Sequence, residues 1–144
     1  MKKIFTSALI LSTILVLSCS KTKTLANRLE GTWNIDKRET VNGAQQKSDA
    51  NIGTFEFKSD GTGTMTIKTV YNNYTNTSVN TFYWSNTAST LTLIMGNSIK
   101  YFQVLANESK KQVWEESFTN TNSSSSGGTP TTTTNSEKYT LSKK

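Results

Sequence analysis

From residue 32 onward, the chain alternates apolar and polar residues over short stretches. Phe55 and Phe57, for example, are separated by Glu56 and followed by Lys58. A repeat of two is typical of a β-strand with one buried face, because successive side chains point to opposite sides. No stretch here keeps the 3.6-residue repeat of an amphipathic helix over about 12 residues. The pattern predicts eight strands, at residues 32–40, 54–58, 64–71, 78–85, 91–95, 98–105, 111–118 and 136–142.

The connections between these segments are typical of antiparallel neighbours. Asp60-Gly61 turns the chain and supplies the positive φ that a hairpin needs, and Gly96-Asn97 is a two-residue loop that begins with glycine. Without crossover helices, a parallel sheet is not expected. Eight antiparallel strands in sequence order can close into an up-and-down barrel, which removes both sheet edges. We therefore predict an all-β, eight-stranded antiparallel barrel; the alternative is an open sheet or a sandwich with covered edges.

Two polar stretches are predicted to lie outside the packed part of the domain, one before it and one within it. Residues 19–28 have no apolar repeat at their start and are interpreted as a tether. Residues 119–135 are almost entirely Thr, Ser, Asn and Gly, a composition that buries too little apolar surface to offset the entropy of ordering. They are predicted to form a disordered loop within one domain at 29–144.

The N-terminus has the organisation of a secretory signal. Lys2 and Lys3 precede an apolar run at residues 4–17, and Ser18 and Cys19 follow. A membrane-spanning helix is the alternative, but it requires roughly 20 apolar residues. The residues Val-Leu-Ser-Cys at 16–19 resemble the lipobox of bacterial lipoproteins. This resemblance implies that residues 1–18 are a cleaved signal peptide and that Cys19, the only cysteine, is acylated at its thiol and at its new amine.

Acylation would hold the domain at a bilayer. Each buried CH₂ contributes roughly 0.8 kcal/mol, and a lasting anchor takes two or more acyl chains. The expected location is therefore the cell membrane, specifically the outer membrane of a Gram-negative bacterium, with the bilayer as partner. A free Cys19 thiol that forms an intermolecular disulfide is the alternative.

The start of the predicted domain carries a second resemblance. Gly31-Thr32-Trp33 is similar to the Gly-x-Trp signature of lipocalins, and residues 55–63 resemble a hairpin of the lipocalin-like domains in Gram-negative lipoproteins. The resemblance implies that Trp33 plugs the closed end of a barrel, that Gly31 allows close backbone approach there, and that the connection 41–52 is a loop at the open end. The chain lacks the arginine that lipocalins carry on the last strand against this tryptophan.

Composition excludes several kinds of chemistry. The chain has no histidine and one cysteine, so a histidine-based triad, a histidine-ligated zinc site and a disulfide framework are ruled out. Glu115 and Glu116 are adjacent on a predicted strand and point to opposite faces, which separates them as a catalytic pair. We expect no enzyme activity, no metal and no cofactor. The net charge of +6 is scattered along the chain, so no nucleic-acid partner is expected.

The predicted barrel interior suggests what the domain binds. Its inward apolar side chains would contact a small hydrophobic or amphipathic ligand, and these are Phe55, Phe57, Met65, Ile67, Leu91 and Leu93. An eight-stranded barrel is only just wide enough to be filled by side chains or to hold one small ligand. The alternative function is therefore a protein-interaction or inhibitor module of the cell envelope, with a filled barrel.

Overall fold

The eight predicted strands are present and close into one barrel. The computed structural model describes residues 24–71, 74–122 and 131–144. It contains β1 (Gly31–Asn42), β2 (Gln45–Phe57), β3 (Thr62–Tyr71), β4 (Tyr74–Asn86), β5 (Thr90–Met95), β6 (Ser98–Asn107), β7 (Lys111–Asn122) and β8 (Thr131–Lys143). A short helix, α1, precedes them at residues 24–29. Each strand pairs antiparallel with the next, and β1 also pairs with β8, which closes the sheet. The barrel prediction is confirmed, and the open sheet and the sandwich are excluded.

The long connection predicted at 41–52 is wrong. β1 and β2 continue through it as a hairpin, with Val41 opposite Gln46, and only residues 43 and 44 form the turn. Gly43 has a φ of 60°, a conformation that glycine adopts without a steric penalty. The segment contains Gln, Lys, Ser, Asp and Asn where apolar residues would alternate, so its strand character was hidden.

The predicted loop 119–135 also starts too early and ends too late. β7 runs to Asn122 and β8 begins at Thr131, and their pairing extends up to Asn122 opposite Thr131. Threonine is β-branched and suits a strand, which offsets the polarity of these residues. Asn135 is only 6% exposed, so part of this segment is buried. Residues 123–130 lie outside the described residues.

One end of the barrel, called the closed end below, is covered by α1. The buried side chains of Leu25 and Leu29 belong to the core, and the Arg28 guanidinium donates to the carbonyl of Asn107 at the β6–β7 turn. The indole of Trp33, fully buried, donates from Nε1 to the Leu29 carbonyl oxygen at 2.7 Å. The turns at 43–44 and 96–97 lie at the opposite, open end.

A lysine of the last strand lies against Trp33. The Lys143 ammonium is 4.5 Å from the centroid of the Trp33 ring, within the range of a cation–π contact. It also donates to the backbone carbonyl of Glu30. A cation therefore lies on this tryptophan although β8 carries no arginine. Within the described residues, no helix has the length and hydropathy that crossing a bilayer would require.

Candidate ligand-binding site

The predicted ligand-contacting residues lie in the barrel interior, and most of them are packed against one another. Phe55, Phe57, Leu91 and Leu93 are at most 2% exposed, whereas Met65 and Ile67 are partly buried. The Phe55 ring lies 5.4 Å from the ring centroids of both Trp114 and Tyr139. We use the name apolar half of the barrel for the interior that is formed by the buried aromatic and aliphatic side chains, which include Trp33, Phe55, Phe57, Leu91, Leu93, Trp114 and Tyr139. A ligand that entered it would have to displace packed side chains, and contact between these six residues and a ligand stays a prediction.

Toward the open end, the interior becomes ionic. Cross-strand partners point to the same side of a sheet, and the buried Tyr139 is opposite Arg38, which in turn is opposite Asp49. Both charged residues are therefore inward. Lys100 is likewise opposite the buried Leu93. We call this region the ionic half of the barrel.

A β-bulge explains why the alternation pattern did not reveal Arg38. Trp33 and Ile35 are inward, so an unbroken repeat of two would turn Arg38 outward together with Asp36. The register shifts between Ile35 and Lys37, which moves the following side chains to the other face. Nothing in the local sequence marks that shift.

The first ionic cluster joins β1 and β2. Arg38 Nη2 donates to Asp49 Oδ2 at 2.9 Å, and Lys47 Nζ lies 3.1 Å from Asp49 Oδ1. The hydrogen bond from Arg38 is the main reason that the pKa of Asp49 lies below its usual value. The cluster carries two cations and one carboxylate, so it has a net positive charge.

The second cluster connects β6, β7 and β8. Lys100 Nζ donates to Glu116 Oε2 at 3.2 Å and also to Glu137 Oε2. Tyr139 donates its hydroxyl to Glu137 Oε1 at 2.8 Å. Burial alone would lower the pKa of Lys100, but the two carboxylates outweigh it and hold that pKa above its usual value. Burial raises the pKa of Tyr139, so its phenol stays protonated and donates.

The ionic half opens to the outside where two strands separate. β2 and β3 pair only from Gly53 opposite Ile67 to Phe57 opposite Gly63, although both strands extend further toward the open end. The gap forms a cleft of about 670 Å³, called the β2–β3 cleft below. Its lining includes the charged side chains of Arg38, Lys47, Asp49 and Lys68 and the apolar side chains of Ile52, Ile67 and Val70.

Exposed apolar side chains form a row on the outside of the barrel. Tyr83 is opposite Ile94, which is opposite Ile99, and all three are at least 40% exposed. Tyr101 lies two residues from Ile99 on the same face and is also exposed. We call these four residues the outer patch.

The side chains considered for a catalytic pair or a metal site are not clustered in the described residues. Glu115 and Glu116 face opposite sides of β7, since Glu115 lines a cleft on the outside and Glu116 contacts the inward Lys100. Over residues 24–71, 74–122 and 131–144, no three side chains of the His, Cys, Asp and Glu types lie close enough to hold a metal ion. Cys19 and the predicted signal peptide lie outside the described residues.

Comparisons with known proteins find distant structural likenesses and no sequence relative. No protein-family model and no curated protein sequence matches the chain. Among solved structures, a bovine odorant-binding protein, described as a deswapped triple mutant, matches at 12% identity with a TM-score of 0.46. The match covers 81% of this chain and 74% of that one. At this identity and score the likeness identifies neither a family nor a ligand, and the barrel assignment rests on the strand pairing itself.

Proposed function

We propose that this protein is a lipid-anchored, non-enzymatic binding protein that takes a small amphipathic ligand at the open end of its barrel. The observation that carries this proposal is the division of the interior into an apolar half and an ionic half. A ligand at the boundary would meet apolar side chains such as Ile67 on one side and charged groups such as Arg38 on the other.

The dimensions of the site support a small molecule. Ligand pockets have volumes of roughly 300–1,000 Å³ and combine an apolar lining with a few polar groups. The β2–β3 cleft, at about 670 Å³, falls within that range and has such a lining. The packed aromatic rings of the apolar half would provide a rigid base for the ligand, since close-packed protein interiors deform little.

The anchor would be the acylated Cys19, and it would set the orientation of the barrel. The start of α1 at residue 24 lies five positions after Cys19, a distance of at most roughly 18 Å when fully extended. α1 covers the closed end, so acyl chains on Cys19 would place that end near the bilayer. The open end and its ligand site would then face away from the membrane, which we propose to be the outer membrane.

Substitution of the cysteine tests the anchor. Cys19→Ala is expected to move the protein from the membrane fraction to the soluble fraction and to abolish metabolic labelling with palmitate. Ser18→Ala, which keeps a small residue before the cleavage point, serves as the matched control and should leave both unchanged. Palmitate labelling that persists in Cys19→Ala would refute acylation at this residue.

Ligand titrations test the binding function. The full chain carrying Cys19→Ala, which bears no acyl chains of its own, would be titrated with long-chain fatty acids and retinoid-like probes. Tryptophan fluorescence is expected to be quenched in a saturable way with about one ligand bound per chain. If no probe changes the fluorescence or releases heat in calorimetry, small-ligand binding at this barrel is wrong.

The outer patch supports a second candidate function, a protein-interaction module of the cell envelope. Exposed contiguous apolar surface is a common feature of protein interfaces. A photo-crosslinking amino acid at Ile99 should give a defined adduct in cells, whereas one at the exposed Lys37 on β1, away from the outer patch, should not. Equal labelling from both positions would show that the patch selects no partner.

A further inference from the structure

The β2–β3 cleft carries an excess of positive charge next to apolar side chains. Arg38, Lys47 and Lys68 line it, against the single carboxylate of Asp49. Ile52, Ile67 and Val70 line the same cleft. An amphipathic molecule with a negatively charged group would match both features, whereas a cationic one would be repelled.

Arg38 has hydrogen-bonding capacity that the described residues do not use. One nitrogen, Nη2, donates to Asp49, but Nε is buried and has no hydrogen-bond partner among them. Buried donors in folded proteins are nearly always paired, because an unpaired one keeps the cost of losing its water without gaining a partner. A guanidinium presents several donors in a planar fork that suits carboxylate and phosphate oxygens. The arginine is therefore suited to an acceptor brought by a ligand.

Asp49 limits how strongly the cleft attracts anions. Its carboxylate interacts with both Arg38 and Lys47, and its side chain is 22% exposed. An incoming anion would share these two cations with it. The strength of anion binding is therefore set by the balance between two cations and this one carboxylate.

Building on the proposed function, we infer that the ligand is an amphipathic anion, with a carboxylate or phosphate group held by Arg38 and Lys47 and an apolar body against Ile52, Ile67 and Val70. The separation of β2 from β3 exposes the apolar side chains beside the cations and gives the ligand a lateral entry. The expected ligand is a free, single-chain amphipathic anion, because the volume of the cleft suits one small molecule and the site lies at the end of the barrel opposite α1.

Calorimetric titration with three molecules of equal chain length tests the charge preference. Decanoate, decanol and decyltrimethylammonium would each be added to the full chain carrying Cys19→Ala. Decanoate is expected to bind at least about tenfold more tightly than decanol, and decyltrimethylammonium is expected to bind most weakly. Raising the salt concentration should weaken the decanoate interaction and leave decanol unchanged.

Two substitutions of opposite sign assign that preference to the cleft. Arg38→Gln should weaken decanoate binding about tenfold or more, whereas Asp49→Asn should tighten it severalfold because it frees both cations. Lys111→Gln removes an equal charge from an exposed position at the start of β7 and should change the affinity less than about twofold. Circular dichroism would check each fold, and Asp49→Asn keeps the test decisive if Arg38→Gln does not fold.

The outcomes separate the two proposals. If decanol binds as tightly as decanoate and neither substitution changes the affinities, the anion inference is overturned while small-ligand binding stands. If none of the three molecules binds, both are overturned. Sedimentation with phosphatidylglycerol vesicles that depends on Arg38, without decanoate binding, would assign the cleft to a membrane surface and would also overturn the inference.

Discussion

We expect that adding one methyl group at Gly63, inside the barrel, strongly lowers the free energy of unfolding. This glycine lies opposite Phe57 on one side and Phe82 on the other. A Cβ at this position would lie 2.4 Å from Cε2 and Cζ of the Phe82 ring and 2.5 Å from the carbonyl oxygen of Glu56. Carbon atoms in contact normally lie about 3.5–4.0 Å apart. Gly63→Ala therefore requires the ring to move by about 1 Å and the backbone near the Glu56 carbonyl to shift as well.

The ring cannot move without disturbing its neighbours. Phe82 is 2% exposed, and its ring centroid lies 5.2 Å from that of Phe57 and 6.1 Å from that of Phe55. Overpacking of a core costs typically about 1–3 kcal/mol, and three contacts this short place Gly63→Ala near the upper value. The reduced entropy of the unfolded chain returns about 0.4–1 kcal/mol. We expect the free energy of unfolding to fall by about 2 kcal/mol and the Tm to fall by about 8 °C.

Urea unfolding, followed by tryptophan fluorescence, measures this change. Thr81→Ala, at an exposed position of β4, serves as a control and should cost less than about 0.5 kcal/mol. In a Phe82→Leu background, which removes the ring, Gly63→Ala should cost at least about 1 kcal/mol less than in the native background. A Tm within about 2 °C of the unaltered protein, or an equal penalty in both backgrounds, would refute this steric explanation.

Three further changes test the ionic half, the closed end and the extended hairpin. Lys100→Met should lower the free energy of unfolding by about 2 kcal/mol at neutral pH, because two partly buried carboxylates lose their cation; urea titrations should show the deficit shrinking in acid, where the carboxylates are neutralised. Folding raises the pKa of Lys100, so in the unaltered protein the Lys100 ion pairs should contribute fully to the free energy of unfolding at neutral pH. This contribution should be lost as the pH rises above the pKa of free lysine, about 10.4, and through the higher pKa of the folded state. Lys143→Met should cost about 0.5–1 kcal/mol through the lost contact with Trp33, and Lys143→Arg should restore it. Deleting 119–135 should lower the Tm, because it removes paired residues of β7 and β8 and the buried Asn135; an unchanged Tm would mean that this pairing contributes nothing.

Local alternation and turn chemistry were enough to predict the strands and the antiparallel order. The segment around Phe55 and Phe57, the Asp60-Gly61 turn and the Gly96-Asn97 turn fall where the sequence predicts them. These signals lie within a few residues of one another, so they are legible without knowledge of distant contacts. The closed barrel followed from the number and order of the strands, because closure removes unpaired edges.

The two polar strand pairs at residues 41–52 and 119–135 were not predicted, because the prediction relied on local hydrophobic alternation. Residues 41–52 and 119–135 contain few apolar side chains, so their alternation carries no hydrophobic signal. Their strand character depends on residues of the neighbouring strand that lie several positions away in sequence, such as Arg38 for Asp49 and Thr134 for Thr119. Cross-strand pairing of this kind is not encoded in the local pattern.

The sequence by itself determined the strand class, the order of the strands and the aromatic content of the core. Only the tertiary structure decided which charged side chains face inward, because the bulge after Ile35 turns Arg38 into the barrel and the pairing of β6, β7 and β8 brings Lys100 to Glu137, 37 positions away along the chain. It also decided that α1 and Lys143 meet at Trp33. The physical reason is that a repeat of two specifies the two faces of one strand, whereas the register between strands, and with it the composition of the candidate site, is fixed only when all eight strands pair around a common interior.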